Sequence, residues 1–137
     1  MNLIGFHLSI LILPLCFAAS SQFSKEKVVT NDTLERTYWL YRPQSAKPKS
    51  ALVVVMHGYS GKAETIAAYS GMNELADEHG FLVAYPQGSI DSRNKAFFNV
   101  GYQFHAESKI DDVAFIEAMV RQIQERFSVE QKRIFAT

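Results

Sequence analysis

The chain has 137 residues, of which 47% are hydrophobic and 20% charged, and its formal net charge is zero. This is the composition of a single globular domain, and it gives no electrostatic reason to expect a nucleic acid or an anionic membrane surface as a partner.

The amino-terminal segment has the pattern of a secretory signal peptide. No Asp, Glu, Lys or Arg precedes Lys25, and an apolar run at residues 8–19 is followed by small residues. We predict a signal peptide over residues 1–20 and a secreted, extracellular or periplasmic product. A membrane span is the alternative, but Pro14 interrupts the run and a span needs about 20 apolar residues. We expect no membrane association after cleavage.

Cys16 is the only cysteine and lies inside this segment, so we expect no disulfide bond in the mature chain. Acylation of Cys16, as in a lipoprotein, is a weaker alternative because bulky Leu15 fits that processing poorly. Asn31 begins a glycosylation sequon, which has meaning only in a host that glycosylates exported proteins.

The first part of the mature chain predicts strands. Residues 22–27 are a polar lead-in, and residues 28–42 predict two strands around an Asn31-Asp32 turn, the second at 36–41. After a proline-containing loop, the apolar run at residues 51–56 predicts a strand buried on both faces, as in a parallel sheet covered by helices.

A tight polar turn, His57-Gly58-Tyr59-Ser60-Gly61, follows this strand. Its glycines permit a sharp turn and leave main-chain N–H groups without ladder partners. Free donors at the carboxyl end of a parallel strand suit an oxyanion hole, which stabilises the negative oxygen formed in acyl transfer. The alternative is an ordinary strand-to-loop turn around a buried, hydrogen-bonded His57.

The remaining elements alternate helix and strand. Residues 64–79 predict an amphipathic helix that Gly71 can divide and Gly80 ends. Its predicted buried stripe is Ala68, Met72, Leu75, Ala76 and His79. A strand at 81–85 leads into a long loop at 87–109.

The next helix is predicted to begin at Asp111, and a further strand is predicted at 133–137. The buried face of this helix is predicted to be Val113, Ile116, Val120, Ile123 and Phe127. The alternation of strands and helices indicates an α/β domain over residues 28–137 with a mostly parallel sheet.

Seven short motifs occur in a characteristic order: LYRP at 40–43, VVVMHGY at 53–59, LAD at 75–77, GFLVAYPQG at 80–88, NVGY at 99–102, DDVAFI at 111–116 and RIFAT at 133–137. The series resembles the secreted polyhydroxybutyrate depolymerase, feruloyl esterase and acetyl xylan esterase group of α/β-hydrolases. The resemblance implies a three-layer αβα sandwich, here incomplete. It also implies a cofactor-independent serine carboxylic ester hydrolase that acts on polyester or acylated plant polysaccharide.

In that family the strand matching residues 133–137 leads into a Gly-x-Ser-x-Gly nucleophile turn, and the acid and histidine follow it. The serines at 60, 70 and 89 lack this spacing. We therefore expect the nucleophile after Thr137 and an inactive chain if residues 1–137 stand alone. The alternative is a non-catalytic remnant or polymer-binding half-domain. Because the last strand would normally lie inside a sheet, we expect an isolated chain to self-associate.

The candidate oxyanion residues are His57, Gly58 and Tyr59, with the Tyr59 amide as the main donor, while the His57 side chain is structural. Phe98 and Tyr102, with Phe97 beside them, either flank the acyl or aromatic group of a substrate or pack the loop against the sheet.

Asp111 and Asp112 are either a carboxylate pair for acid–base chemistry or, more simply, a helix cap with a charge in its first turn. We interpret His105 as a solvated loop residue and His79 as a helix-end residue. The histidines do not have the spacing of zinc ligands, and no metal site is predicted.

Overall fold

The computed structural model describes residues 20–30 and 34–137. Most of the predicted signal peptide, Cys16 and the Asn31 sequon lie outside the described residues. The described elements, in chain order, are β1 (Gln22–Val29), β2 (Glu35–Arg42), β3 (Leu52–Val54), α1 (Ala63–Tyr69), α2 (Met72–His79), β4 (Leu82–Pro86), β5 (Ser89–Ile90), β6 (Ala96–Phe97), a 3₁₀ helix (Gln103–His105), α3 (Asp112–Phe127) and β7 (Ile134–Ala136).

A five-stranded sheet has the order β1-β2-β4-β3-β7. β3 pairs in parallel with β4 and β7, whereas β1 with β2 and β2 with β4 are antiparallel. The predicted lead-in at residues 22–27 is wrong, because β1 pairs with β2 from Gln22 onward. Backbone pairing extends this edge strand through polar residues that give no hydrophobic signal.

Helices cover both faces of the sheet, which confirms the predicted α/β fold with three layers. On one face, α3 packs against β2, β3 and β4, and this core contains Tyr38, Leu40, Leu52, Phe115, Met119 and Ile123. On the other face, α1 and α2 pack against alternate residues of the same strands, and this core contains Trp39, Tyr41, Val83, Tyr85, Ala63, Ala67 and Ala76. The opposite orientation of neighbouring side chains in β2 follows from the period of two in a strand.

The predicted helix at 64–79 is two helices that meet at Gly71, which has a φ of 69°. The predicted stripe is wrong at Ala68, Leu75 and His79, which are exposed. The left-handed residue between the two helices changes the direction of the chain, so a single 3.6-residue period does not extend across both.

The predicted start of α3 is confirmed, because the Asp111 side chain accepts a hydrogen bond from the amide of Ala114 at 2.8 Å. Its predicted buried face is wrong at Val113, which is 70% exposed. Asp112, Phe115, Met119 and Ile123 are the buried residues of α3. Within the described ranges, no helix has the length and apolar character needed to cross a bilayer.

Candidate functional site

The turn at residues 57–61 follows β3, an inner strand of the sheet between β4 and β7, at its carboxyl end. Beyond β3, the Val55 amide donates to Ala84 O at 2.8 Å and the Met56 amide to Thr137 O at 2.9 Å. Hydrogen bonds between neighbouring strands therefore continue to Met56, which is where the strand predicted at 51–56 ends. The turn begins directly beside the backbone of residue 137.

Two backbone hydrogen bonds hold the second half of the turn. The Gly61 amide donates to Gly58 O at 2.9 Å, and the Ser60 amide donates to Ala96 O in β6 at 2.8 Å. A Cβ atom on Gly61 would lie 2.8 Å from Gly58 O and 2.9 Å from the Cβ atom of His57. A side chain at position 61 would force this backbone apart, so the turn requires glycine there.

The first half of the turn has free donors. Within residues 20–30 and 34–137, the main-chain amides of His57, Gly58 and Tyr59 donate to no acceptor. Gly58 and Tyr59 are also exposed. Consecutive unpaired N–H groups at the end of a parallel strand are an arrangement that can receive an anionic oxygen.

The side chain of His57 is buried, with 4% of the residue exposed. Its Nε2 atom accepts hydrogen bonds from the Gly88 amide at 3.0 Å and from the side-chain NH₂ group of Gln87 at 3.1 Å. These two donors place the ring proton on Nδ1, which donates to Gly58 O at 2.8 Å. Both ring nitrogens are thus occupied in holding the turn, and neither is available to take a proton from a substrate.

Gln87 is a site residue that sequence reasoning missed. Besides contacting His57, its Oε1 atom accepts a hydrogen bond from the amide of Ala63 at 3.0 Å. Lys62, the residue that caps α1, provides no side-chain hydrogen bond to the helix. Gln87 therefore satisfies one free donor of α1 and connects the end of β4 to the turn.

The predicted structureless loop at 87–109 contains the β5–β6 hairpin and the 3₁₀ helix. Phe97 is 4% exposed, and its ring lies 3.9 Å from that of His105. The ring of Phe98 packs against His57, with 4.8 Å between ring centroids. Tyr102 is 57% exposed and stacks on Phe104 at 5.3 Å. The two candidate substrate residues, Phe98 and Tyr102, therefore belong to different clusters.

The interpretation of His105 as solvated is wrong, because its side chain is 5% exposed and its Nε2 lies 3.2 Å from Asp91 Oδ2. Asp91 also accepts from the Tyr59 hydroxyl at 2.7 Å and from the amides of Arg93 at 2.9 Å and Lys95 at 2.8 Å. Burial opposes ionisation of Asp91, but these hydrogen bonds outweigh it and hold the pKa of its carboxyl well below the usual range. The hydrogen bond to Asp91 raises the pKa of the Tyr59 phenol.

The two adjacent aspartates have separate structural roles. Asp111 caps α3, as described above, whereas Asp112 is buried and forms a 2.7 Å ion pair with Arg36 of β2. Asp112 also accepts from the Asn99 amide at 2.6 Å. Asp112 thus joins α3, β2 and the loop, a role that its position in a first helical turn did not reveal.

A cavity of about 230 Å³ lies beside the turn and is lined by residues of the turn and of α1, including Tyr59, Lys62, Ile66 and Tyr69. A larger one, of about 640 Å³, lies at the opposite end of the parallel strands, near Ala51, Phe81 and Arg133. Ligands of α/β sheets bind at the carboxyl ends of the strands, so the smaller cavity is the candidate site. Among the described residues, no group of three or more His, Cys, Asp or Glu side chains is placed to hold a metal ion.

Comparison with known families identifies the chain. The sequence profile described as Esterase PHB depolymerase matches residues 36–136. The chain belongs to this esterase family. An acetylxylan esterase of Coprinopsis cinerea is 24% identical to this chain over 119 residues, which are 86% of this chain and 32% of the relative.

Solved structures show the same fold. The acetyl xylan esterase from Aspergillus awamori is 19% identical, with a TM-score of 0.62, and the match covers 82% of this chain and 41% of that one. An S-formylglutathione hydrolase from Agrobacterium tumefaciens is 14% identical, with a TM-score of 0.66, over 85% of this chain and 48% of that one. These likenesses confirm an α/β-hydrolase fold. The chain spans less than half the length of either solved relative.

Proposed function

We propose that the chain contributes the oxyanion-hole part of a secreted serine carboxylic ester hydrolase that acts on polyester or acylated plant polysaccharide. The observation that carries this proposal is the set of three free amides, at His57, Gly58 and Tyr59, beside the carboxyl end of β3 in a chain of the esterase family. When an ester carbonyl is attacked, its oxygen becomes negative, and donors held in advance at that point lower the barrier.

The end of β7 supports the same assignment. The bond from the Met56 amide to Thr137 O, at 2.9 Å, brings the backbone at Thr137 beside the start of the turn. A serine placed in a sharp turn soon after Thr137 would therefore lie next to the free amides. In this mechanism the serine attacks the carbonyl, the Tyr59 amide receives the oxyanion, and a base supplied after Thr137 takes the proton, since His57 is fully engaged.

The experiment that tests the proposal uses the protein expressed from its complete coding region. We expect turnover of p-nitrophenyl acetate, release of acid from acetylated or feruloylated xylan or from polyhydroxybutyrate, and loss of turnover after labelling with a fluorophosphonate, which reacts with activated serines. Absence of both turnover and labelling would contradict the proposal. Recovery of the protein from culture medium or periplasm would test secretion.

A second candidate, a polymer-binding module without catalysis, is favoured by the exposed aromatic cluster. Tyr59, Tyr102 and Phe104 are 47%, 57% and 51% exposed, and the ring of Phe104 lies 6.0 Å from Tyr59 and 5.3 Å from Tyr102. Large exposed aromatic clusters are typical of binding surfaces. We assign substrate contact to Tyr102 rather than to Phe98, which packs on His57. Binding to insoluble polymer without ester turnover would favour the polymer-binding module over the esterase.

We also propose that a polypeptide limited to residues 20–137 self-associates through β7. Among the described strands, β7 pairs only with β3, and Phe135 within it is 57% exposed. Phe135→Lys should shift the polypeptide towards monomer in size-exclusion chromatography with light scattering, because a charge on an edge strand opposes pairing. Val113→Lys, at a residue 70% exposed on α3, is the matched control. Equal behaviour of the two variants would show that β7 is not the contact.

A further inference from the structure

Asp91 connects three segments that are separate in sequence. Its Oδ2 atom accepts the Tyr59 hydroxyl at 2.7 Å and lies 3.2 Å from His105 Nε2, while its Oδ1 atom accepts the amides of Arg93 and Lys95. We propose that Asp91 is a positioning residue, which holds the Tyr59 amide in the place where the oxyanion would form. This inference rests on the proposed function.

The carboxylate itself is held rigidly by its hairpin. The Asp91 amide donates to Lys95 O at 2.9 Å, the Asn94 amide donates to Asp91 O at 3.0 Å, and the two bonds to Oδ1 close the same turn. The side chain is 5% exposed, so it has little freedom to turn away. With Oδ1 occupied inside the hairpin, Oδ2 is directed to residues outside it, which are Tyr59 and His105.

The Gly58-Tyr59 part of the turn needs such an anchor because, unlike His57 and Gly61, it has little packed against its backbone. A Cβ atom built on Gly58 would have no heavy atom within 4 Å, and Tyr59 is 47% exposed. The hairpin holds the turn at two consecutive residues, Tyr59 through its hydroxyl and Ser60 through the amide bond to Ala96 O at 2.8 Å. The Tyr59 N–H shares its peptide plane with Gly58 O, which accepts hydrogen bonds from the Gly61 amide at 2.9 Å and from His57 Nδ1 at 2.8 Å. The two anchors at Tyr59 and Ser60 hold the other end of this plane, at the Cα atom of Tyr59, and so limit the movement of the Tyr59 amide.

The charge on Asp91 makes the anchor strong. A hydroxyl that donates to a carboxylate forms a shorter and stronger bond than one that donates to a neutral acceptor, in agreement with the 2.7 Å distance. His105 lies beside the same Oδ2 atom, packed against the rings of Phe97 and Phe104. The pair formed by Asp91 and His105 therefore stays in the loop while Tyr59 docks on it.

Tyr59→Phe is the main test, because it removes the hydroxyl and keeps the amide and the ring. Loss of a whole oxyanion donor costs about 100- to 1000-fold in kcat, so a displaced donor should cost less, and we expect about a tenfold fall in kcat with little change in KM. Tyr41→Phe is the matched control, since it also deletes a 2.7 Å bond from a tyrosine hydroxyl to an aspartate, here Asp77 of α2, and neither residue belongs to the turn or to the loop that holds it. The control should leave kcat unchanged.

Asp91→Asn completes a double-mutant cycle in the protein expressed from its complete coding region. If Tyr59 and Asp91 act through one another, the variant with both Tyr59→Phe and Asp91→Asn should lose no more kcat than Asp91→Asn alone. A fall in kcat equal to the product of the two single falls would overturn the proposal. Equal effects of Tyr59→Phe and Tyr41→Phe would also overturn it, because they would indicate general destabilisation.

Amide hydrogen exchange separates this inference from the proposed function. Tyr59→Phe should speed exchange at Ser60 and leave β3 and β4 unchanged, since only the anchor of the turn is lost. If the wild-type protein has no esterase activity, the proposed function fails, and exchange at Ser60 still decides whether Asp91 holds the turn. Unchanged exchange at Ser60, or faster exchange with unaltered kcat in an active protein, would overturn the positioning role.

Discussion

Replacing Asp112 with Ala should lower the free energy of unfolding by about 3–5 kcal/mol, the usual cost of removing one partner of a buried ion pair. Asp112 is 8% exposed and Arg36 is 5% exposed, and the two are 2.7 Å apart. The substitution leaves the Arg36 guanidinium buried over the ring of Phe115 without a counter-charge. It also removes the acceptor of the Asn99 amide. Urea denaturation measures the change.

Asp111→Ala is the matched control for Asp112→Ala. It removes the same charge from the preceding residue, which is exposed and only caps α3, so the expected loss is about 1 kcal/mol. Equal losses in the two variants would contradict the role given to Asp112. Arg36→Met combined with Asp112→Leu should recover much of the stability, because the buried charge is then absent on both sides.

Gly88→Ala should be the second severe substitution, with an expected loss of about 2–4 kcal/mol from overpacking and from a broken hydrogen bond. A Cβ atom at position 88 would lie 2.4 Å from Phe97 O and 3.1 Å from Cε1 of His57. The β5–β6 hairpin must then move away from the turn, and the bond from the Gly88 amide to His57 Nε2 lengthens. Thermal and urea denaturation measure the effect.

Gly58→Ala tests whether that loss is specific to Gly88. Gly58 belongs to the same site, but a Cβ atom there would meet no heavy atom within 4 Å, so we expect a change within about 0.5 kcal/mol. Because Gly→Ala reduces the entropy of the unfolded chain, backbone entropy alone would not lower stability. A comparable loss at both glycines would contradict the role given to the contact with Phe97 and His57.

Local signals were sufficient for much of the fold. The uninterrupted apolar run at 51–56, the aspartate that begins α3 and the glycine that ends α2 each act through neighbours within a few residues. Where a distant contact decides the conformation, the sequence pattern was misleading. The buried stripe of α1 and α2 was wrong because Gly71 changes the direction of the chain, and residues 22–27 became strand only through pairing with β2.

The residues missed at the candidate site share one property, which is that their partners are far away in sequence. Arg36 and Asp112 are 76 positions apart, Gln87 and His57 are 30 apart, and Tyr59 and Asp91 are 32 apart. No periodicity or spacing rule connects residues at such distances. The oxyanion role of His57, Gly58 and Tyr59 stays a prediction that rests on the free amides and on the family.

The order of the strands in the sheet also determines when the sheet can form during synthesis. β3 lies between β4 and β7, both of which follow it in the chain, and Leu52 pairs with Ile134 on one side and Leu82 on the other. At about 5–20 residues per second, the ribosome needs several seconds to supply both partners after β3 has emerged. Throughout that interval an apolar strand has unsatisfied edges, so chaperones or export factors that bind extended apolar segments have time to capture it before the domain closes.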